Sequence, residues 1–286
     1  MMMTMKTNSK KSNRLPRVRS AIYGQPWMIT PDWLEAICEI FERNVALEKI
    51  EFEAAQAPTG PGSYLSQEGY SMEGNVAILP LMGPIFPRAN LMTRMSGATS
   101  IEDFGAQFRH AMANPDVDAL LVHIDSPGGS VSGIFEQASE IFSARIGHKP
   151  VVGMIDGMGC SAAYLIGSQC DTLYATEASV GGSIGVVMSI EDDTRQSEND
   201  GIKRTIIKTG PLKAVGVGPV TDEQVKHMQS LADDFFGKFK SAVARARPFV
   251  NLEATATGEV WIGKKLQDLG LVDGITTLPK LLADWS

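Results

Sequence analysis

A serine follows an apolar stretch in a setting of small residues that would let a substrate approach its hydroxyl. Ser161 lies in the segment Gly157-Met-Gly-Cys-Ser-Ala-Ala163, directly after the apolar run that begins at Val151. The segment comes close to the strand–turn–helix motif of α/β-hydrolases, although Ala163 stands where that motif has its last glycine. It predicts a nucleophile at Ser161. Cys160 is interpreted as a small buried residue, because nothing nearby in the sequence would lower its pKa.

The histidines are weak candidates for the base that a serine nucleophile needs. There are four of them: His110, His123, His148 and His227. Only His227 follows Ser161, as the order serine, acid, histidine of α/β-hydrolases requires. His123 stands inside an apolar run and is typical of a core residue. A histidine triad through His227 therefore stays open but is not favoured.

A neutral lysine is the other known base for serine. Lys213 lies in Thr209-Gly-Pro-Leu-Lys-Ala-Val-Gly216, an unusually apolar setting for a lysine. Burial there would lower its pKa, since desolvation disfavours the ammonium. A decrease from about 10.4 to about 7 costs roughly 4.6 kcal/mol, which is tolerated mainly where function uses it. Lys208 competes by spacing alone, and either lysine could instead be an ordinary surface residue.

A second glycine-rich segment, Asp125-Ser-Pro-Gly-Gly-Ser-Val131, follows another apolar run. Paired glycines let backbone N–H groups turn toward a ligand, so the segment suits a phosphate or a developing oxyanion. It lacks the lysine and the spacing of a P-loop. A tight strand-to-helix turn without a ligand explains it equally well.

Composition excludes several classes of protein. The 286 residues hold 26 Lys and Arg against 33 Asp and Glu, a net charge of −7, which argues against nucleic acid as the main partner. Three cysteines are too few and too scattered for a disulfide framework or a zinc site. We expect no metal and no cofactor, and a reducing compartment. No stretch approaches the ~18 apolar residues that would span a bilayer, so no membrane span is expected.

The order of patterns along the chain predicts a layered α/β fold. Residues 1–20 form a basic segment without acids, for which we expect a disordered tail; residues 21–56 are predicted to be a helical appendage and 57–74 a linker. From residue 75 short apolar strands alternate with helices, which is typical of parallel βαβ units. Ser100 is the expected N-cap of one helix, with Asp103 as its partner.

Five ordered motifs carry a resemblance to a known family. They are Ser-Pro-Gly-Gly at 126–129, Gly-x-x-x-Ser-Ala-Ala-Tyr at 157–164, Gly-Ser-Ile-Gly-Val at 182–186, Lys-Thr-Gly-x-x-Lys at 208–213, and Gly-Glu-Val-Trp-Ile-Gly at 258–263 followed by Leu-Gly-Leu-Val-Asp at 269–273. In these the chain resembles the signal peptide peptidase A family of serine peptidases, peptidase family S49. The likeness covers about 75–280.

The resemblance implies a fold of the Clp protease and crotonase type and a Ser–Lys dyad. Matching the motifs gives Ser161 as the nucleophile and Lys213 as the base. Ser183 matches the serine that orients the lysine. Gly128, with Gly129 beside it, matches the oxyanion-hole loop. The resemblance, and not the spacing, selects Lys213 over Lys208.

The chain departs from the membrane-anchored members of that family, since it shows a basic tail and a helical appendage in place of a transmembrane helix. This combination resembles the phage capsid-assembly and head-maturation branch. The expected partners are scaffold, capsid or portal proteins and further copies of the chain, in the host cytoplasm within a phage prohead. Two alternatives stay open, a bacterial signal peptide peptidase lacking its anchor and a crotonase-like thioester enzyme.

Overall fold

The computed structural model describes residues 22–46, 69–89, 97–145, 147, 149–203 and 205–285. Contacts between Cα atoms divide the chain into two compact units. Unit 1 comprises Met1–Pro26, Pro31–Ala54 and Met188–Asp233; unit 2 comprises Trp27–Thr30, Ala55–Val187 and Asp234–Ser286. The predicted continuous 75–286 domain differs from this grouping and stays a prediction.

The larger sheet of unit 2 carries the apolar runs of the sequence. Its strands are β2 (Ser71–Glu73), β3 (Val76–Met82), β6 (Ala119–Ser126), β8 (Val151–Cys160), β9 (Thr172–Ala175), β10 (Val180–Gly182), β12 (Val260–Ile262) and β13 (Gly274–Ile275). The order is β12-β10-β8-β6-β3-β2, with β9 pairing β8 and β13. The pairs β3–β6, β6–β8 and β8–β10 are parallel, whereas β2 and β12 run antiparallel at the two edges.

Burial explains why the central strands are almost continuously apolar. Leu120, Leu121, Val122 and Ile124 of β6 are all fully buried. Strands covered on both faces need apolar residues at successive positions rather than alternate ones. The covering helices of unit 2 are α2 (Ile101–Ala113), α3 (Ile134–Ala144) and α4 (Ala162–Ser168). The predicted cap is confirmed, since Ser100 Oγ accepts a hydrogen bond of 3.2 Å from Asp103 N.

A second, smaller sheet contains the glycine pair of the 125–131 segment. Its strands are β1 (Pro26–Ile29), β4 (Ile85–Phe86), β5 (Thr99–Ser100), β7 (Gly128–Ser130) and β11 (Val187–Met188), in the order β11-β1-β7-β4-β5. Strand β1 pairs antiparallel with β7, and β4 pairs parallel with β7. The alternative of a simple strand-to-helix turn is therefore wrong for the glycines, because Gly128 and Gly129 belong to a strand.

Unit 1 contains α1 (Pro31–Ala46), α5 (Thr194–Asn199) and the first half of the long helix α6 (Asp222–Ala246). A reciprocal capping box begins α6. Gln224 N donates to Thr221 Oγ1 at 3.3 Å, and Thr221 N donates to Gln224 Oε1 at 3.2 Å. The C-terminal part of unit 2 adds α7 (Leu252–Thr255), α8 (Lys264–Asp268) and α9 (Leu278–Ala283).

The α/β fold class is confirmed, with two differences in detail at the N-terminal end. The predicted tail at 1–20 lies outside the described residues. The 21–56 segment is not wholly helical, because it contains β1. The predicted linker at 57–74 is described only from residue 69, and there it includes β2, paired with β3. Across the described ranges, no helix is long and apolar enough to cross a membrane.

Candidate active site

Ser161 occupies a strained turn between a strand and a helix. Strand β8 ends at Cys160 and α4 begins at Ala162, leaving Ser161 with φ 53° and ψ −114°. Among the described residues only Ser161 and Ser183 have a positive φ without being glycine. Such a backbone costs of order 1–3 kcal/mol and persists where the surrounding structure enforces it, often at functional sites. The strand–turn–helix arrangement that the segment around Ser161 resembles is therefore present.

The hydroxyl of Ser161 is free, whereas its backbone is fully engaged. Ser161 N donates to Gly182 O at 2.8 Å, and Ser161 O accepts from Leu165 N at 2.9 Å. The side chain is buried, with 1 % of the residue exposed, and within the described parts of the chain Oγ has no hydrogen-bond partner. A buried hydroxyl without a partner is destabilising, so this one needs a reason. A catalytic role is one reason for which such a group is retained in a folded protein.

Helix α4, which begins directly after Ser161, fixes the position of the serine by packing into the core. All seven of its residues are buried. Tyr164 anchors the first turn by donating its hydroxyl to Leu271 O at 3.0 Å. Ala162 and Ala163 are small enough for this packing, which explains the run of small residues in the sequence.

Ser183 lies beside Ser161 because the two residues follow paired positions on neighbouring strands. Gly182 of β10 and Cys160 of β8 are partners in the parallel register. Adjacent strands are about 4.8 Å apart, so the residues that follow these partners are close neighbours. Ser183 is buried with φ 51°, and its N–H donates to Glu259 O at 2.6 Å. The sheet thus brings together the two serines with left-handed backbones.

Gly128 packs against Ser161 and could not be another residue. Its φ is +103°, a region that favours glycine. A Cβ built on Gly128 would lie 3.0 Å from Ser161 Cβ and would clash with Met28 O. A Cβ on Gly129 would clash with Ile85 O in β4. The Gly128 N–H donates to Ser126 Oγ at 3.2 Å, a long bond that is easily exchanged for a better acceptor.

The lysine candidates lie in unit 1, in a segment of turns. Lys213 is exposed, and its N–H donates to Gly210 O at 3.3 Å. Lys208 is also exposed, with Nζ donating to Pro211 O at 2.8 Å. The burial expected for Lys213 is therefore wrong for the chain as described here. The role assigned to Lys213 stays a prediction.

The described histidines either contact other side chains or lie elsewhere in the fold. His123, interpreted as a core residue, is half-buried, and its Nε2 lies 3.6 Å from Asp156 Oδ2. His110 Nδ1 is 3.0 Å from the Tyr70 hydroxyl. His227 is half-buried on α6 in unit 1. His148 lies outside the described residues.

The thiol next to the nucleophile is inert. Burial raises the pKa of Cys160 to about 12. The thiolate is the reactive form of cysteine, so this thiol stays protonated and unreactive at neutral pH. The expectation that Cys160 is a small buried residue is confirmed. In the described ranges no group of three or more His, Cys, Asp or Glu side chains is placed to hold a metal ion.

Residues 144–285 match the family model described as peptidase family S49. The match covers the C-terminal half of the chain. The chain is 27 % identical over 277 residues to the capsid assembly protease C of Escherichia phage lambda, covering 91 % of this chain and 62 % of that protein. It is 28 % identical to the head-tail preconnector protein GP5 of Enterobacteria phage P21, covering 71 % and 42 % of the two chains. Protease 4 of Salmonella typhi is also 28 % identical, covering 71 % and 32 %. The chain thus spans less than two thirds of the length of each of these relatives.

Two solved structures resemble the chain more distantly. One is an enoyl-CoA hydratase/isomerase family member, with a TM-score of 0.42, 15 % identity, and 76 % and 71 % of the two chains covered. The other is a mutant of the 1510-N membrane-bound stomatin-specific protease in complex with a substrate peptide. Its TM-score is 0.44, with 11 % identity and 74 % and 80 % of the chains covered.

One feature near this site was missed by the sequence interpretation. Strand β1 places the Met28 carbonyl against Gly128, which is one of the predicted site residues. Its only signal in the sequence is the apolar run Trp27-Met-Ile29 between Pro26 and Pro31. So short a run gives no indication of a partner strand about a hundred residues later.

Proposed function

We propose that this chain is a serine endopeptidase in which Ser161 is the nucleophile. The observation that carries the proposal is the strained, buried Ser161 with an unpartnered hydroxyl, packed against Gly128. The match of residues 144–285 to the peptidase family S49 model supports the same reaction.

The proposed reaction begins when Ser161 Oγ attacks the scissile carbonyl and loses its proton to a base. The carbonyl oxygen becomes an oxyanion, for which two N–H groups are at hand, those of Gly128 and Ala162. The second belongs to the residue after the nucleophile and, as the first residue of α4, has no acceptor within the helix. The base then returns the proton to the leaving amine, and an acyl-enzyme remains. Water hydrolyses the ester by the same steps.

The proposed base is Lys213, oriented by Ser183. Two things support this choice: the motif Lys-Thr-Gly-x-x-Lys at 208–213, and the position of Ser183 one strand away from the nucleophile. A lysine acts as a base only when its amine is neutral, and burial is what favours that form. Because Lys213 is exposed here, we propose that a second copy of the chain covers it in a cyclic homo-oligomer. In such a ring Lys213 can also act on Ser161 of a neighbouring protomer.

The proposed substrates are scaffold, capsid or portal proteins, cleaved within a phage prohead in the host cytoplasm. The support is the similarity to the capsid assembly protease of phage lambda and to the head-tail preconnector protein of phage P21. The substrates are therefore expected among the structural proteins that are encoded with this chain.

The dyad is tested by mixing inactive subunits. Ser161→Ala and Lys213→Ala should each abolish cleavage of a fluorogenic peptide or casein, while Lys208→Ala, the matched control, should keep most of the activity. If the dyad is shared between protomers, mixing the two inactive variants restores part of the activity. Wild-type turnover by either inactive variant, once shown to be folded, would exclude the dyad. Absence of rescue in an oligomer that exchanges subunits would exclude only the sharing.

A further inference from the structure

The nucleophile is closed off from substrate in this structure. Ser161 is 1 % exposed, yet an endopeptidase must lay an extended peptide against the serine hydroxyl. The inference that follows rests on the proposed function, in which Ser161 attacks a peptide carbonyl. It concerns the segment of the chain that occupies the place where such a peptide would lie.

Gly128 identifies that segment, because two groups meet the same face of this glycine. A Cβ built there would lie 3.0 Å from Ser161 Cβ and would clash with the backbone carbonyl of Met28. A peptide carbonyl of the chain itself therefore lies next to the nucleophile and to the proposed oxyanion loop.

Strand β1 pairs with β7 as a bound peptide would. Trp27 lies opposite Ser130, Met28 opposite Gly129 and Ile29 opposite Gly128, all antiparallel. The pairing continues at Thr30, whose N–H donates to Pro127 O at 3.1 Å. Adding an extended segment to the edge of a sheet is a common mode of peptide recognition, in which main-chain bonds give affinity and side-chain pockets give specificity.

The division of the chain sets these residues apart from their neighbours. Trp27–Thr30 belong to unit 2, whereas the residues before and after them belong to unit 1. Pro26 and Pro31 bound the segment, and neither can donate a hydrogen bond to extend the strand. The paired segment is thus four residues long, the size of a short peptide.

All three apolar side chains of β1 are buried. Trp27 is 2 % exposed, Met28 0 % and Ile29 4 %. The Trp27 ring meets Phe86 edge-on, with centroids 6.0 Å apart, and Met28 packs into the main core cluster of unit 2. Since successive side chains of a strand point to opposite faces, the groove along β7 has apolar walls on both sides.

We propose that the groove along β7 is the substrate-binding site and that β1 is its intramolecular occupant. The substrate class is an extended polypeptide segment with apolar residues at three successive positions and a large aromatic residue opposite Ser130. Cleavage of another protein requires β1 to leave the groove. The apparent affinity for substrate falls by the fraction of molecules in which the groove is open.

A reversible disulfide tests this, because the same double variant can be compared in its oxidised and reduced forms. The pair Thr30–Pro127 is hydrogen-bonded, and bonded and non-bonded pairs alternate, so Trp27 and Ser130 form a non-bonded pair with close Cα atoms. Trp27→Cys combined with Ser130→Cys in the full chain should form a cross-strand disulfide that locks β1 in place. Reduction of the disulfide allows β1 to leave the groove. The absence of the Trp27 indole also weakens the binding of β1 to the groove. The wild type under the same oxidant and reductant controls for the native cysteines.

Two readouts separate this inference from the proposed function. The first is binding of a fluorescein-labelled peptide that copies residues 25–32, measured by anisotropy. It should bind the reduced double variant at least about tenfold more tightly than the oxidised one. The same peptide with serine in place of its Trp and Ile should bind neither form well. The second readout is cleavage of a fluorogenic peptide, which should fall on oxidation and return on reduction.

One outcome separates the two claims: the labelled peptide binds the reduced form more tightly than the oxidised form, but neither form cleaves any peptide. That outcome would contradict the proposed function and would leave the assignment of the groove unchanged. Cleavage that is equal in both forms, or peptide binding that is equal or absent in both, would overturn the inference, since β1 would then be a permanent structural strand. Failure of the disulfide to form would overturn it as well, because the two residues would not be paired in solution.

Discussion

Removing the Cβ of residue 161 should stabilise the protein while removing its activity. The strain at Ser161 arises because φ 53° with ψ −114° brings a Cβ into conflict with the backbone, a conflict that glycine does not have. We therefore compare Ser161→Gly with Ser161→Ala. Both lack the hydroxyl, so their difference isolates the Cβ.

The expected magnitude follows from two opposing effects. Relief of the strained backbone is worth of order 1–3 kcal/mol. Glycine loses more conformational entropy on folding, which costs about 0.5–1 kcal/mol. The net expectation is that Ser161→Gly unfolds with about 1–2 kcal/mol more free energy than Ser161→Ala. In a chain of this size that corresponds to a Tm about 2–4 °C higher.

The assay is thermal unfolding of the purified variants, with a matched pair at Ser139 as the control. Ser139 is exposed in the middle of α3, where the backbone is helical. There Ser139→Gly should be less stable than Ser139→Ala by about 1 kcal/mol. The reasoning predicts opposite signs at the two positions. A glycine variant at 161 that melts below its alanine counterpart would refute the assignment of strain to this turn.

Three further predictions concern the groups around the nucleophile. Ser183→Ala should lower kcat by about 10²-fold, because in the proposed dyad Ser183 orients the base rather than supplying it; unchanged kcat would remove it from the site. Iodoacetamide at pH 8 should neither modify Cys160 nor reduce activity, since a thiol with a pKa raised to about 12 stays protonated there; inactivation by alkylation at Cys160 would contradict this. The activity of His227→Ala should match that of the wild type, because the proposed base is Lys213 and not a histidine. Loss of activity in His227→Ala, with Lys213→Ala still active, would restore the histidine triad.

The parts of the site that follow from the sequence are those in which local chemistry fixes local structure. The helix that begins directly after Ser161 and the capping pair at Ser100 are each produced within a few residues, so the sequence predicts them correctly. The access of a substrate to Ser161, which the small residues suggested, is not observed, because Ser161 is buried. The adjacency of Ser161 and Ser183 depends on strand register, and there the family motifs carried information that periodicity alone does not contain.

What could not be predicted depends on contacts between distant segments. The apolar run at Trp27–Ile29 is too short to predict a strand. It is buried because it pairs with β7, about a hundred residues later in the chain. The apolar neighbours of Lys213 suggested burial, but they lie in a segment of turns that leaves the lysine exposed. Local hydrophobicity indicates which residues can be buried; the rest of the fold decides which ones are.

The most direct test of the central claim is to find which atom a serine-directed fluorophosphonate modifies. Attack by Ser161 Oγ displaces fluoride and leaves a stable phosphonyl ester, which peptide mapping by mass spectrometry locates. The account predicts one modified residue, Ser161, with labelling and peptide cleavage lost together in proportion, and no labelling of Ser161→Ala. A label on another residue that tracks the loss of activity, or cleavage that survives in folded Ser161→Ala, would contradict it.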